Sequence, residues 1–228
     1  MKPNIIVSYP KNCDYPLWRQ YIKENRELFN KVIVVFTPAT GFDYSKFLVD
    51  ELIHDDVKCL NSITPQGRDW RDQAVNQALD FLQPYSHEWV WFTEQDFIVK
   101  DGFWDFVEKN SNNFRTEAIS VYQGDRMHPC SLFIKTTLLN KINTNFGIVE
   151  GKLDHFGLIQ KQVEKLTNVV KIPENLYYHY NGFSSNWSLL SNGQQPNYQP
   201  EEFKKYLQKS LNCGVNLHPK YEEIAKSI

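Results

Sequence analysis

A chain of 228 residues, 41% of them hydrophobic and 23% charged, has the composition of a soluble globular protein with one large domain or two small ones. Its net charge of -2 argues against a nucleic-acid backbone as the main partner, while leaving room for a local basic patch. No apolar run reaches the roughly 18–20 residues of a membrane span, no signal-peptide pattern is present, and the 4 cysteines are scattered. We therefore expect a cytoplasmic protein with reduced thiols.

The first hundred residues alternate apolar runs with amphipathic segments. Strands are predicted at 4–9, 31–38, 57–60 and 89–99, and helices at 14–29, 43–52 and 69–82. Strands that alternate with helices in this way form a parallel sheet with helices on both faces. Neither a glycine-rich dinucleotide fingerprint nor a P-loop follows the first strand, so a bound nucleotide must be held in another way.

The second half departs from this alternation. Strands are predicted at 116–122, 131–134 and 169–173, helices at 103–107, 152–166 and 201–211, and loops at 124–130 and 183–200. In the helix that begins near 152, Phe156, Ile159, Val163 and Leu166 share one face. Because no internal repeat, low-complexity tract or linker interrupts the chain, we predict a single domain over residues 1–228.

The run from Trp89 to Val99 begins as an apolar strand and ends in two carboxylates, Glu94 and Asp96. Alternate residues of a strand share a face, so both carboxylates would point the same way if the strand continues to Asp96. Ligands of open α/β sheets bind just beyond the carboxyl ends of such strands. Oxygen ligands suit Mg²⁺ or Mn²⁺. The pattern therefore predicts a divalent-cation site that could hold a diphosphate, with a solvated strand end as the alternative.

Glu94-Gln95-Asp96 at the end of an apolar strand resembles a variant of the acidic DxD motif of nucleotide-sugar glycosyltransferases of the GT-A fold, loosely of the family-2 type. The family form usually begins with Asp, so Glu94 is a departure. The resemblance implies a single-domain, Rossmann-like α/β fold with a mixed, mainly parallel sheet flanked by helices. It divides the chain into a nucleotide-binding half (1–100), an acceptor half (101–182), and a mobile loop with a C-terminal helix (183–228).

The resemblance also assigns binding roles to individual positions. The donor nucleotide would be bound by the segment after the first strand, the segment before the acidic strand and the acidic motif itself, through Tyr9, Pro10, Asn12, Gly67, Arg68, Arg71, Glu94 and Gln95. A helix N-terminus near 69 would favour phosphate, and an arginine there could add a charge-assisted contact. The cation would be held by Asp96 and Glu94, and by His179, which stands where many GT-A enzymes have a histidine after the last strand.

A catalytic base is implied at one position. Asp154 opens the helix that begins near 152 and matches the family's general base, although an N-cap role suits it equally well. His155 stands where the family often has a second acid, which leaves the stereochemical course open. Among the other histidines, a place at the cleft is considered only for His128.

Together these matches imply a glycosyltransferase that moves a sugar from a nucleoside diphosphate sugar, with a UDP-sugar favoured, to an acceptor hydroxyl in the presence of Mn²⁺ or Mg²⁺. The acceptor could be a glycan, a small molecule or a modified nucleobase. One alternative is a nucleotidyltransferase on a related fold, which usually needs a basic glycine-rich loop where this chain has only Lys11. Another is a non-catalytic module that binds a glycan or a partner, for which Glu94 in place of Asp is the best support.

Overall fold

A computed structural model describes residues 1–8, 21–22, 24–36, 57–61, 80, 89–94, 97–142, 157–179, 201–212 and 219–227. The strands in these ranges are β1 (Asn4–Ser8), β2 (Val32–Phe36), β3 (Val57–Asn61), β4 (Trp89–Thr93), β5 (Phe97–Val99), β6 (Ala118–Gln123), β7 (Arg126–Lys135), β8 (Val170–Lys171) and β9 (Tyr177–His179). The helices are α1 (Phe103–Ser111), α2 (Thr136–Leu139), α3 (Gly157–Leu166), α4 (Glu201–Asn212) and α5 (Pro219–Lys226). Short 3₁₀ turns span Arg26–Leu28 and Glu174–Leu176.

Seven of these strands form one sheet in the order β3-β2-β1-β4-β7-β6-β8, and β5 pairs with β9 in a separate two-stranded sheet. β1, β2, β3 and β4 are parallel to one another, whereas β7 runs antiparallel to both of its neighbours, β4 and β6. β8 is parallel to β6. The predicted α/β fold with a mixed, mainly parallel sheet is therefore confirmed. No helix among the described residues is long and apolar enough to cross a membrane.

The sheet is buried on both faces because its central strands are apolar at consecutive positions. All five residues of β4 are at most 3% exposed. Trp89 and Trp91 face a core that includes Phe103 and Val107 of α1, whereas the alternate β4 residues face a second core on the opposite side. That second core includes Val90, Phe92, Leu138, Leu139, Ile159 and Val163. A strand with this pattern belongs at the centre of a helix-covered sheet, which fixes the position of its carboxyl end.

Trp91 is the centre of an aromatic cluster on the α1 side of the sheet. Its ring stacks on Phe133 of β7 at a centroid distance of 5.0 Å and an interplanar angle of 4°. Trp104 meets it edge-on at 5.3 Å and 89°. The indole Nε1–H of Trp91 donates a hydrogen bond to Ser131 Oγ, 2.9 Å away, so a buried polar atom on each strand has a partner. The cluster ties β4 to β7 close to the carboxyl end of β4.

The prediction of a loop at 124–130 is wrong. β6 and β7 form a hairpin whose connection is only Gly124 and Asp125, since Gln123 pairs with Arg126. Gly124 has a φ of +62°, which a glycine adopts without strain and which suits a two-residue hairpin turn.

The β6–β7 ladder is interrupted where the chain carries Pro129. Ser120 pairs with Leu132, and the next pairing is Tyr122 with Met127, so the four residues 128–131 lie opposite Val121 alone. Proline has no N–H to donate and is tolerated at such an irregularity. A bulge also re-aims the side chains it carries. Ser131 still pairs with Thr93 of β4, so the irregular segment of β7 that contains His128 is 128–130.

The acidic strand also ends earlier than predicted. β4 stops at Thr93, and the backbone N–H of Phe97 donates to the carbonyl oxygen of Glu94 at 3.3 Å, which turns the chain into β5. The prediction of one continuous strand over 89–99 is therefore wrong, since Phe97–Val99 pairs with β9 in the second sheet, and the condition on which Glu94 and Asp96 would share a face is not met. Leu166 is also not part of the buried helix face, being 51% exposed. The predicted helices at 43–52 and 69–82, half of the one at 14–29, and the loop at 183–200 lie outside the described residues, apart from Asp80.

Candidate metal-binding site at the carboxyl edge of the sheet

The candidate site lies at the edge of the sheet where the parallel strands end. The strand order reverses at β1, because β2 and β3 extend the sheet on one side and β4 on the other. The crevice outside the carboxyl ends of two such strands is the usual ligand site of an open α/β sheet. Thr93, the last residue of β4, pairs with Ser131 of the antiparallel β7, so the residues before Ser131 continue past the end of β4. Glu94 and His128 are therefore at the same edge.

The second sheet delivers a further histidine to this edge. β9 pairs antiparallel with β5, and its last residue, His179, is the partner of Phe97. Phe97 in turn is tied to Glu94 by the backbone hydrogen bond that turns the chain after β4. The position of His179 is thus set by the turn that follows β4 and by the pairing of β5 with β9.

Three potential ligands meet at this edge: Glu94, His128 and His179. His179 Nε2 lies 3.3 Å from Glu94 Oε2. The rings of His128 and His179 are 4.6 Å apart at their centroids and tilted by 60°. One ligand atom from each of the three residues lies within 4.8 Å of the other two. Two imidazoles and a carboxylate so close together are a donor set that a divalent transition metal can use.

The site is largely shielded from water. The side chain of His179 is 11% exposed and that of Glu94 is 21% exposed, while His128 is also partly buried. A carboxylate at such a position loses much of its hydration, so a nearby positive charge interacts with it more strongly than it would in bulk water. The arrangement favours either a cation or a protonated imidazole beside Glu94.

Buried hydrogen bonds hold the strands on either side of the bulge. Ser120 Oγ donates to the carbonyl oxygen of Ser131 at 3.0 Å, while Ser131 Oγ accepts from Trp91. Ser120 and Ser131 are both fully buried. The β7 end of the irregular segment is therefore anchored to β4 and β6 at once.

The hairpin end of the same segment is anchored to α3. Gln160 Oε1 accepts from the backbone N–H of Met127 at 3.0 Å, and Gln160 Nε2 donates to the carbonyl oxygen of Asp125 at 2.9 Å. Glu164 Oε1 accepts from Gln160 Nε2 and from the Tyr122 hydroxyl, both at 2.9 Å. Burial, and then the hydrogen bond and charge of Glu164, raise the pKa of Tyr122 well above its ordinary value, so it stays a neutral donor.

The structure brings together two of the sequence-predicted site residues, Glu94 and His179. The remaining ones lie outside the described residues and stay predictions: Tyr9, Pro10, Asn12, Gly67, Arg68, Arg71, Gln95, Asp96 and Asp154. His128 was considered only for the cleft and was not predicted as a ligand. The signal that could have found it is Gly124-Asp125, because a two-residue hairpin turn there returns β7 along β6 and carries His128 to the end of β4.

Comparisons with known proteins give similarity at the level of structure. No protein-family model matches the chain, and no curated protein matches it. Among solved structures it is similar to glucosyl-3-phosphoglycerate synthase of Mycobacterium tuberculosis bound to Mn²⁺, UDP and phosphoglyceric acid, with 12% identity, a TM-score of 0.52, and coverage of 94% of this chain and 80% of that one. HddC of Yersinia pseudotuberculosis matches at 9% identity and a TM-score of 0.52, over 85% of this chain and 100% of that one.

A third similar structure is 4-diphosphocytidyl-2C-methyl-D-erythritol synthase of Anaerococcus prevotii, at 11% identity and a TM-score of 0.50, over 75% of this chain and 86% of that one. At these identities the likeness shows a shared fold. The resemblance to the GT-A fold drawn from the acidic strand is therefore confirmed at the level of architecture. The same fold occurs in a synthase bound to UDP and in a diphosphocytidyl synthase, so the activity has to be argued from the site.

Proposed function

We propose that the protein is a glycosyltransferase that moves a sugar from a nucleoside diphosphate sugar to an acceptor hydroxyl with the help of a divalent cation. The observation that carries the proposal is the approach of His179 Nε2 to Glu94 Oε2, 3.3 Å apart, at the carboxyl edge of the central strand. Glu94 of the acidic motif and His179 are 85 residues apart in sequence (179 − 94), and the resemblance to GT-A enzymes assigned both to the cation site.

The residues at the edge fit a divalent cation. Glu94, His179 and Asp96 would hold it, through carboxylate oxygens and an imidazole nitrogen. A bound cation would neutralise the charge that builds up on the departing diphosphate. The chain's own contribution is positional: the pairing of β5 with β9 holds His179 against Glu94, and the partial burial of both side chains limits competition from water.

The other proposed roles concern residues outside the described ranges. Donor binding is assigned to Tyr9, Pro10, Asn12, Gly67, Arg68, Arg71 and Gln95, with a UDP-sugar as the first donor to test. Asp154 is the proposed general base for the acceptor hydroxyl. It precedes Gly157, the first residue of α3, by three positions in the sequence. Gln160, in the first turn of described helix, contacts the hairpin that carries His128, which supports a place for Asp154 near the site.

A thermal-shift screen tests donor binding. Protein is mixed with UDP, GDP, CDP, ADP or TDP, each with Mn²⁺ and with EDTA. Binding at a hundredfold excess over Kd stabilises the fold by about 2.7 kcal/mol, which is about 5–10 °C for a chain of this size. We expect one diphosphate to give this shift only with Mn²⁺, and His179→Ala to abolish it. Glu174→Gln, an exposed residue just before β9, is the matched control and should keep the shift.

Turnover products then separate the candidate reactions. Sugar transfer or slow hydrolysis releases a nucleoside diphosphate from a nucleotide sugar. Nucleotidyl transfer, which the likeness to the diphosphocytidyl synthase favours as the second candidate, would instead release pyrophosphate from a nucleoside triphosphate. Tight nucleotide binding with neither product would indicate a non-catalytic binding module. The proposed function is contradicted if no nucleoside diphosphate shifts the melting temperature with the metal present.

A further inference from the structure

We propose that His128 is a further protein ligand beside Glu94 and His179, so that two imidazoles and at least one carboxylate form a centre for Mn²⁺, Fe²⁺, Co²⁺ or Zn²⁺ in preference to Mg²⁺ or Ca²⁺. The inference rests on the proposed function for placing a cation at this edge of the sheet. It adds a ligand from a strand that the acidic motif does not predict, and with it the class of metal.

The spacing of the three ligand atoms fits one ion. Two ligands about 2.1 Å from the same metal are about 3.0 Å apart in octahedral geometry and about 3.4 Å apart in tetrahedral geometry. The 3.3 Å between His179 Nε2 and Glu94 Oε2 already lies in that interval. The ligand atoms of the three residues all lie within 4.8 Å of one another, so the spacing of a bound ion needs shifts of at most about 1.8 Å.

The donor set selects the class of metal. Mg²⁺ prefers oxygen ligands in near-ideal octahedral geometry and keeps several waters, so two imidazoles in a partly buried site suit it poorly. Imidazole is a good ligand for first-row transition metals, whose affinity for mixed nitrogen and oxygen sites rises from Mn²⁺ to Co²⁺ and beyond. With Glu94 and His179 alone, the preference for a transition metal over Mg²⁺ would be weak. The imidazole of His128 strengthens this preference.

The backbone around His128 supports this role. The residue before it, Met127, is held by Gln160 of α3, and Ser131 beyond it is held by Trp91 and Ser120. The segment 128–130 between these anchors is released from the pairing with β6, so His128 can reach across to the end of β4. The competing explanation is that His128 merely packs its ring on His179.

Metal titration without nucleotide tests the proposal. Protein stripped with EDTA is titrated calorimetrically with Mn²⁺, Co²⁺ and Mg²⁺, and the visible absorption of bound Co²⁺ is recorded. We expect Mn²⁺ and Co²⁺ to bind at least about 10-fold more tightly than Mg²⁺. His128→Ala and His128→Phe should both weaken Co²⁺ binding by at least about 10-fold and change its spectrum. Glu174→Gln should change neither, and circular dichroism checks that every variant is folded.

His128→Phe distinguishes ligation from packing, since it keeps an aromatic ring against His179 but removes both ring nitrogens. Unchanged Co²⁺ affinity and spectrum in His128→Phe, or equal affinities for Mg²⁺ and Mn²⁺ in the wild type, would overturn the proposal. The outcome is separable from that of the proposed function. If the metal binds as expected but no nucleotide does, the proposed function fails alone. If a nucleotide binds with Mn²⁺ and His128→Phe has no effect on Co²⁺, the metal centre fails alone.

Discussion

Replacing Gln160 with Ala removes the connection between α3 and the β6–β7 hairpin. The side chain makes two hydrogen bonds to the hairpin backbone, one from Met127 N–H at 3.0 Å and one to the Asp125 carbonyl at 2.9 Å. Each is worth about 0.5–1.5 kcal/mol net. The third bond, to Glu164, lies within α3 and does not connect α3 to the hairpin, so it is left out of the sum. We therefore expect a loss of about 2 kcal/mol in the free energy of unfolding, or about 4–8 °C in melting temperature.

The loss is measured by urea denaturation followed by tryptophan fluorescence, with Lys161→Ala as the control, since Lys161 is an exposed neighbour on the same helix. Because Met127 is next to His128, Gln160→Ala should also weaken Co²⁺ binding several-fold in the folded protein. Gln160→Glu keeps an acceptor for Met127 N–H but loses the donor to Asp125 and sets a like charge one turn from Glu164. The Co²⁺ affinity of Gln160→Glu should lie between those of the wild type and Gln160→Ala. A stability change below about 0.5 kcal/mol in Gln160→Ala would refute the reasoning.

Three further predictions concern the framework of the site. Trp91→Phe removes the N–H that satisfies the buried Ser131 hydroxyl and should cost about 2–3 kcal/mol in urea denaturation, whereas a cost below about 0.5 kcal/mol would contradict the contact. Burial raises the pKa of Tyr21 to about 12 against the opposing hydrogen bond from Trp104. The unfolded chain therefore loses this proton first, so the free energy of unfolding should fall as pH rises from about 10 to 12, and less steeply in Tyr21→Phe. Gly124→Ala should cost about 1 kcal/mol because of the positive φ, although nothing lies within 4 Å of the added Cβ, and Gly124→Asn should cost less in the same assay.

The sequence predicts the parts of the fold that depend on local pattern. The apolar run of β4 is buried on both faces as expected, and β1, β2, β3 and β8 lie within one or two residues of their predicted ranges or inside them. The spacing of Glu94 from the start of that run was enough to place it at the carboxyl edge. His179 was placed by the resemblance to GT-A enzymes, and the structure brings it beside Glu94.

What could not be predicted depends on contacts between distant segments. β4 ends at Thr93 because Phe97–Val99 pairs with β9, a partner about 80 residues further along the chain (179 − 97 = 82 for the Phe97–His179 pair). His128 reaches the site because the β6–β7 register slips near Val121, and single-sequence periodicity carries no information on register. Leu166 keeps helical phase with Val163 but lies at the last turn of α3, beyond the core that would cover it.

Product release from nucleotide sugars tests the central claim most directly. Wild-type protein, Glu94→Gln and Glu174→Gln are incubated with Mn²⁺ and UDP-glucose, UDP-galactose or UDP-N-acetylglucosamine, and UDP and pyrophosphate are measured separately. The site predicts UDP without pyrophosphate from at least one donor, with the rate reduced at least about 100-fold in Glu94→Gln and unchanged in Glu174→Gln. Equal UDP release by the wild type and Glu94→Gln would contradict the assignment of the site, and pyrophosphate released from UTP and a sugar phosphate would contradict sugar transfer.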